Sequence, residues 1–242
     1  MANATLKRNI SLPLLTFYGL GTILGAGIYV LIGEVAGRAG MFAPISFLLA
    51  AVIAAFTAIS YAELSARIPK SAGEAVYAQK AFNRKNLSLI LGLLVVFTGV
   101  MSSATLVNGF SGYFQIFFQL PSWLIIAATV FLLGALACWG IKESAGAAMV
   151  LTIIEVIGLL IIIFVASGSF LTLPEKLPEL IPSFDGVSWM GIFLGSFLAF
   201  FAFIGFEDMV NVAEEVKNPR RNMPRGIFLA LIAATILYIL VA

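Results

Sequence analysis

The chain of 242 residues contains no histidine. That absence excludes histidine-based catalytic triads, the usual zinc sites and histidine pH switches. A single cysteine, Cys138, lies in an apolar run, so no disulfide can form within the chain. Charge is scarce as well: Asp, Glu, Lys and Arg make up 11% of residues, where a soluble domain carries about 25%. What fills the space is hydrophobic, 61% of the chain. A water-soluble fold of this length cannot bury that much apolar surface, so the chain reads as an integral membrane protein. No metal site, cofactor or nucleic-acid partner is expected.

Crossing a bilayer as a helix takes about 20 apolar residues. Seven segments qualify: 13–32, 42–66, 88–118, 122–140, 145–167, 188–211 and 226–242. They lack the period-two alternation of a membrane β-barrel. The first is not a cleavable signal, because it has no small-residue cleavage site and further spans follow. Loop cations then set the orientation. Lys7, Arg8, Arg67, Lys70, Lys80, Arg84, Lys85, Lys142, Lys217, Arg220, Arg221 and Arg225 fall on one side. Only Arg38 and Lys176 fall on the other. This asymmetry predicts a cytoplasmic N-terminus. The last segment has 17 residues; at about 1.5 Å each it reaches roughly 25 Å, short of a roughly 30 Å hydrocarbon core. The sequence therefore reads as a fragment of a longer protein.

Segment one carries Gly19, Gly21, Gly25 and Gly27 near its middle. Each glycine costs a helix interior about 1 kcal/mol relative to alanine. Two readings stay open. The glycines serve close helix packing, with Gly21 and Gly25 at GxxxG spacing. Alternatively they unwind the helix, and the exposed main-chain N–H groups suit a carboxylate. No βαβ unit surrounds them, so they are not a dinucleotide fingerprint. Segment six has a similar interruption at Gly205, followed by Glu207 and Asp208. Ionisable groups in hydrocarbon are costly and usually functional. Glu207 is the functional candidate; Asp208 reads as lying in the cytoplasmic mouth. The aromatics Phe200, Phe201, Phe203 and Phe206 form either a lid over a small ligand or ordinary packing. Two broken spans, one running outward and one inward, are the pattern of an inverted-repeat transporter with a midplane site.

The charged stretches 63–85 and Glu214, Glu215, Lys217, Arg220, Arg221 and Arg225 are open to two readings. They form an inner gate, or they are solvated loops attracting anionic lipid. An interfacial helix is expected over 72–82.

Several motifs resemble a known family. They are Gly21-Thr22-Ile23-Leu24-Gly25-Ala26-Gly27-Ile28-Tyr29, Tyr61-Ala62-Glu63-Leu64 with Pro69 and Gly73, and Gly140-Ile141-Lys142-Glu143-Ser144. Phe200 to Glu207, running into Ala213-Glu214-Glu215-Val216-Lys217-Asn218-Pro219 and Pro224, is the strongest. In order and spacing they resemble the amino acid–polyamine–organocation (APC) permease family, near its cationic amino acid transporter branch. The resemblance implies an all-α, LeuT-like fold of two inverted five-helix repeats. Residues 13–168 would be the first repeat and 188–242 the start of the second, within one transmembrane domain. It also implies a substrate site between the breaks, made by Thr22, Ile23, Gly25, Ala26, Gly27, Phe201, Ala202, Phe203, Ile204 and Gly205: the backbone around Gly25, Ala26 and Gly27 would meet the substrate carboxylate, and carbonyls around Phe201, Ala202 and Ile204 its amino group. Phe201 stands where relatives have an aromatic gate.

Glu155 departs from the family pattern, since some proton-coupled relatives have a lysine there. It is expected either to bind a proton or cation during transport, or to pair with a neighbouring helix. The resulting expectation is a secondary amino acid transporter in the plasma (inner) membrane. It would work by alternating access, with a proton or Na+ gradient or by exchange. The alternative is an incomplete, non-transporting half that needs its missing C-terminal helices or a second copy. The lack of a nucleophile–base pair argues against an enzyme, and two occluding breaks argue against a channel. Asn108, Ser102 and Ser103 are further pocket candidates.

Overall fold

The computed structural model describes residues 7–71, 73–168, 174, 177–183 and 186–242. Ala72 and Lys176 lie outside the described residues, as does the side chain of Ala26. The described residues are almost entirely helical, with an isolated bridge between Ile10 and Val216. The helices are α1 (Leu12–Ala39), α2 (Ala43–Arg67), α3 (Gly73–Phe82), α4 (Lys85–Phe117), α5 (Ser122–Trp139), α6 (Ile141–Val165), α7 (Gly186–Phe201) and α8 (Pro219–Val241). A 3₁₀ segment, Phe206–Glu215, joins α7 to α8.

Among the described residues, six stretches are long and apolar enough to cross a membrane. One of them, Gly27–Arg67, takes in the second half of α1 and all of α2. The first half of α1, Leu12–Gly25, is a shorter apolar helix. The seven expected segments thus correspond to α1, α2, α4, α5, α6, α7 and α8. The short amphipathic helix expected before α4 is α3.

Local chemistry sets the helix ends. Ser11 caps α1 by accepting from the Leu14 N–H at 3.5 Å, and proline follows within the first turn, where its missing donor costs nothing. The α8 helix starts at Pro219, seven residues before the expected apolar span at 226. Its first two turns carry Arg220, Arg221 and Arg225, so hydropathy hid them although the helix runs through.

The core lies among α1, α2, α7, the 3₁₀ segment and α8. In α2 the buried alanines recur at Ala50, Ala54, Ala58 and Ala62. A four-residue repeat of small side chains on one face lets neighbouring backbones approach. The Ser46 hydroxyl donates to the Ile192 carbonyl at 3.0 Å, tying α2 to α7. Helices α4, α5 and α6 instead turn large apolar side chains outward, among them Ile116, Phe131 and Phe164. An apolar exterior is what a bilayer solvates.

At the entry to the bundle, the Ile10 N–H donates to the Glu215 carbonyl at 3.0 Å, and the Lys217 N–H donates back to Ile10 at 2.8 Å. The segment before α1 is therefore pinned to the elbow before α8.

Candidate functional site

Both glycine-bearing spans are broken. In α1, Gly25 has φ 25° and ψ −153°, outside the helical region. Regular i→i−4 pairing cannot pass through such a residue. The other glycines in the cluster serve packing. A side chain at Gly19 would strike the Met209 thioether, and one at Gly21 would strike the Thr152 hydroxyl of α6. A Cβ at Gly27 would lie 3.2 Å from the Ala202 Cα. Both readings of the cluster therefore hold, at different positions.

In the second span, α7 ends at Phe201. A turn over 202–205 follows, and Gly205 takes φ 131°. A Cβ there would collide with the Thr22 carbonyl, so this glycine meets both a backbone and a space requirement. The Glu207 carboxylate accepts the Gly205 N–H at 2.8 Å and closes the turn. The following 3₁₀ run is ten residues long, where such runs seldom exceed about four. Its buried Met209, Val210, Val212 and Ala213 hold it against the core. The expected segment 188–211 thus divides into α7 and the first part of this 3₁₀ segment.

The breaks face each other. Tyr238 of α8 is fully buried between them. Its hydroxyl oxygen lies 2.8 Å from the Ile23 carbonyl and 2.8 Å from the Ala202 carbonyl. Phe47 and Phe203 pack on its ring, with centroids at 5.6 and 5.0 Å.

A cleft of about 870 Å³ opens beside the breaks. From α1 it is lined by Thr22, Ile23, Gly25 and Gly27, and from the second break by Phe201, Ile204, Gly205, Glu207 and Asp208. The opposite wall is α4, with Val95, Thr98, Ser102 and Ser103 among its lining residues. Glu74 of α3 lies at the edge. It accepts a hydrogen bond from the Tyr61 hydroxyl at 3.0 Å, and the Tyr61 ring stands edge-on to Phe206. The lining thus includes three acids and no lysine or arginine, a field that favours a positively charged group. Beside Glu74, burial and then that carboxylate push the Tyr77 phenol up to about 12, which keeps it protonated.

The family model described as "Amino acid permease" matches residues 10–242. The chain belongs to the amino acid permease family. The permease chain is 35% identical to the vacuolar cationic amino acid transporter 2 of Arabidopsis thaliana, over 98% of this chain and 40% of that protein. It is 32% identical to the branched-chain amino acid permease BcaP of Bacillus subtilis, over 98% of this chain and 54% of the relative. It is 31% identical to a methylthioribose transporter of the same organism, with the same coverage. The chain spans about half the length of these relatives. The resemblance to the APC family read from the motifs is met.

Of the residues expected at the breaks, the fold of this permease chain brings Thr22, Ile23, Gly25, Gly27, Phe201, Ile204 and Gly205 to the cleft. Ala202 and Phe203 are buried and do not line it. The Ala202 carbonyl faces Tyr238, and the Phe203 ring packs on the Tyr238 ring. Both residues thus stand in the wall behind the break. Phe201 is half-exposed at the cleft, edge-on to Phe197. Asn108 donates to its own helix at Ala104 and stays outside the lining.

Glu155 lies on α6 and does not line the cleft. Its main-chain carbonyl accepts the Tyr29 hydroxyl at 3.2 Å. Among the described residues no salt bridge reaches its carboxylate. Of the charges in the stretches 63–85 and 214–225, Lys70 pairs with Glu214 at 3.1 Å, and Arg67 with Glu63 one turn away on α2 at 2.5 Å. The first links the end of α2 to the 3₁₀ segment; the second is exposed and contributes about 0–1 kcal/mol. Sequence reasoning missed Tyr238 and Glu74. Tyr238 lies in the apolar half of α8, and only its partners reveal its role.

Proposed function

We propose that this chain forms the substrate-binding part of a secondary amino acid permease that works by alternating access. One observation carries the proposal: two broken spans meet beside a cleft, joined by one buried tyrosine hydroxyl. The main chain at Gly25, Ala26 and Gly27, at the start of the second half of α1, suits a carboxylate, aided by the positive end of that half-helix. The substrate amino group would face Phe201, Ile204 and Gly205, in the field of Glu207 and Asp208. Thr22 and Ile23 would shape the floor, and Phe201 would close over the ligand. A cationic amino acid transporter and a branched-chain amino acid permease among the relatives support the amino acid class.

In this reading residues 13–168 form one repeat and 188–242 begin its inverted counterpart. The N-terminus is cytoplasmic in the plasma membrane, as the distribution of loop cations supports. Further helices, or a second copy, complete the scaffold. Glu155 carries a proton or Na+, supported by a carboxylate on a membrane-length apolar helix that makes no salt bridge among the described residues. Transport, with no covalent change to the substrate, is the activity.

The test is uptake by proteoliposomes of the full-length gene product, using a panel of radiolabelled amino acids with and without imposed proton and sodium gradients. Saturable, gradient-dependent accumulation of at least one amino acid is expected. Absence of uptake and of counterflow across the panel would overturn the proposal.

A further inference from the structure

A second cleft, about 410 Å³, lies away from the substrate site, where α3 turns into α4. It is lined by Arg84, Lys85, Asn86, Leu87 and Ile90. The cap and first turns of α4 form it, and the α3–α4 hairpin holds that helix start in place. Asn83 takes a left-handed turn conformation at φ 50°, the Ser88 hydroxyl donates to the Ala75 carbonyl at 2.7 Å, and a Cβ at Gly92 would touch the Ala75 methyl at 3.5 Å.

Two features give the cleft a chemical identity. Arg84 and Lys85 are exposed and make no salt bridge among the described residues, and no acid lines the cleft. The helix start adds to the positive field, because Arg84 caps α4 without a side-chain bond and the first N–H groups of α4 have no partner within the helix. Below the cations the wall turns apolar. Leu87 and Ile90 lie one turn apart, and Leu93, a further turn along, is 60% exposed on a membrane-length helix. A paired positive head with an apolar wall descending from it complements an amphiphile with a negative head, at the depth where α4 enters the bilayer.

We propose that this cleft binds the headgroup of an anionic phospholipid, with its phosphate on Arg84 and Lys85 and an acyl chain along Leu87 and Ile90. The site is separate from the amino acid reading and stands without it. It differs from diffuse attraction by loop cations because it needs this cleft. Two cations at the membrane surface give a preference of about 30-fold for anionic over zwitterionic lipid.

The test counts lipids retained by the purified protein in native mass spectrometry, after exchange into equimolar phosphatidylglycerol and phosphatidylcholine. Wild type is expected to retain phosphatidylglycerol. Arg84→Gln with Lys85→Gln should lose that preference, whereas Arg220→Gln with Arg221→Gln, an equal charge change on the α8 elbow, should keep it. Arg84→Lys with Lys85→Arg preserves both charges and should keep it too, which separates binding from misfolding. Equal losses in the two glutamine pairs, or no preference in wild type, would overturn the proposal. So would competition by soluble glycerol phosphate at concentrations equal to the lipid, since that would make the cleft a phosphate site without an acyl component.

Discussion

The hydroxyl of Tyr238 lies 2.8 Å from the carbonyl of Ala202 in the second break. The same oxygen is 2.8 Å from the Ile23 carbonyl in the first. One proton is shared between two acceptors, so the hydroxyl links two unwound segments that helical hydrogen bonding cannot join. Tyr238→Phe keeps the packing on Phe47 and Phe203 and removes only the link. It should cost about 1–3 kcal/mol, the range for leaving a buried polar group unpaired. Thermal denaturation in detergent measures this; unchanged stability together with unchanged substrate affinity would remove Tyr238 from the site.

The two special glycines should respond differently. Gly25 has open space around an added Cβ, so Gly25→Ala should cost only the backbone strain, about 1–3 kcal/mol. Gly205→Ala adds a collision with the Thr22 carbonyl and should exceed about 3 kcal/mol, as buried steric conflicts do. Denaturation midpoints of the two variants side by side give the order. The reverse order would mean that the breaks are not packed as described.

Glu207 acts on the Gly205 N–H through one carboxylate oxygen. An amide oxygen can accept the same bond. Glu207→Gln should therefore keep stability close to wild type, while Glu207→Ala should lose about 1–3 kcal/mol by stranding the donor. If Gln is as damaging as Ala, the charge rather than the turn is what Glu207 supplies.

The Glu155 carboxylate makes no salt bridge among the described residues, and the bond from Tyr29 goes to its main chain, so Glu155→Gln should leave the fold intact. Its effect should appear in transport instead, as exchange that persists while accumulation no longer follows a proton or sodium gradient. Full gradient-driven accumulation by the variant would assign coupling elsewhere.

Much of this was readable from residue order. Glycine clustering at 19–27 and Gly205 before two acids mark the breaks because glycine is costly in a helix unless the backbone requires it. The span count followed from hydropathy and the alternation of cations. Other features were hidden because they depend on partners distant in sequence. Tyr238 meets Ile23 across 215 positions. Phe203 and Phe201, two residues apart in one aromatic run, take opposite roles because the turn rotates one inward and leaves the other at the cleft. The 3₁₀ form of 206–215 reflects packing that local propensity does not encode.

The central claim is that main-chain groups at two breaks hold a zwitterion. It is tested most directly by equilibrium binding of an accepted amino acid to the purified full-length protein, beside its methyl ester and its decarboxylated amine. If the breaks hold the carboxylate, both analogues should bind about 10–100-fold more weakly, the loss of one or two charge-assisted hydrogen bonds. Equal affinity for all three compounds would contradict it.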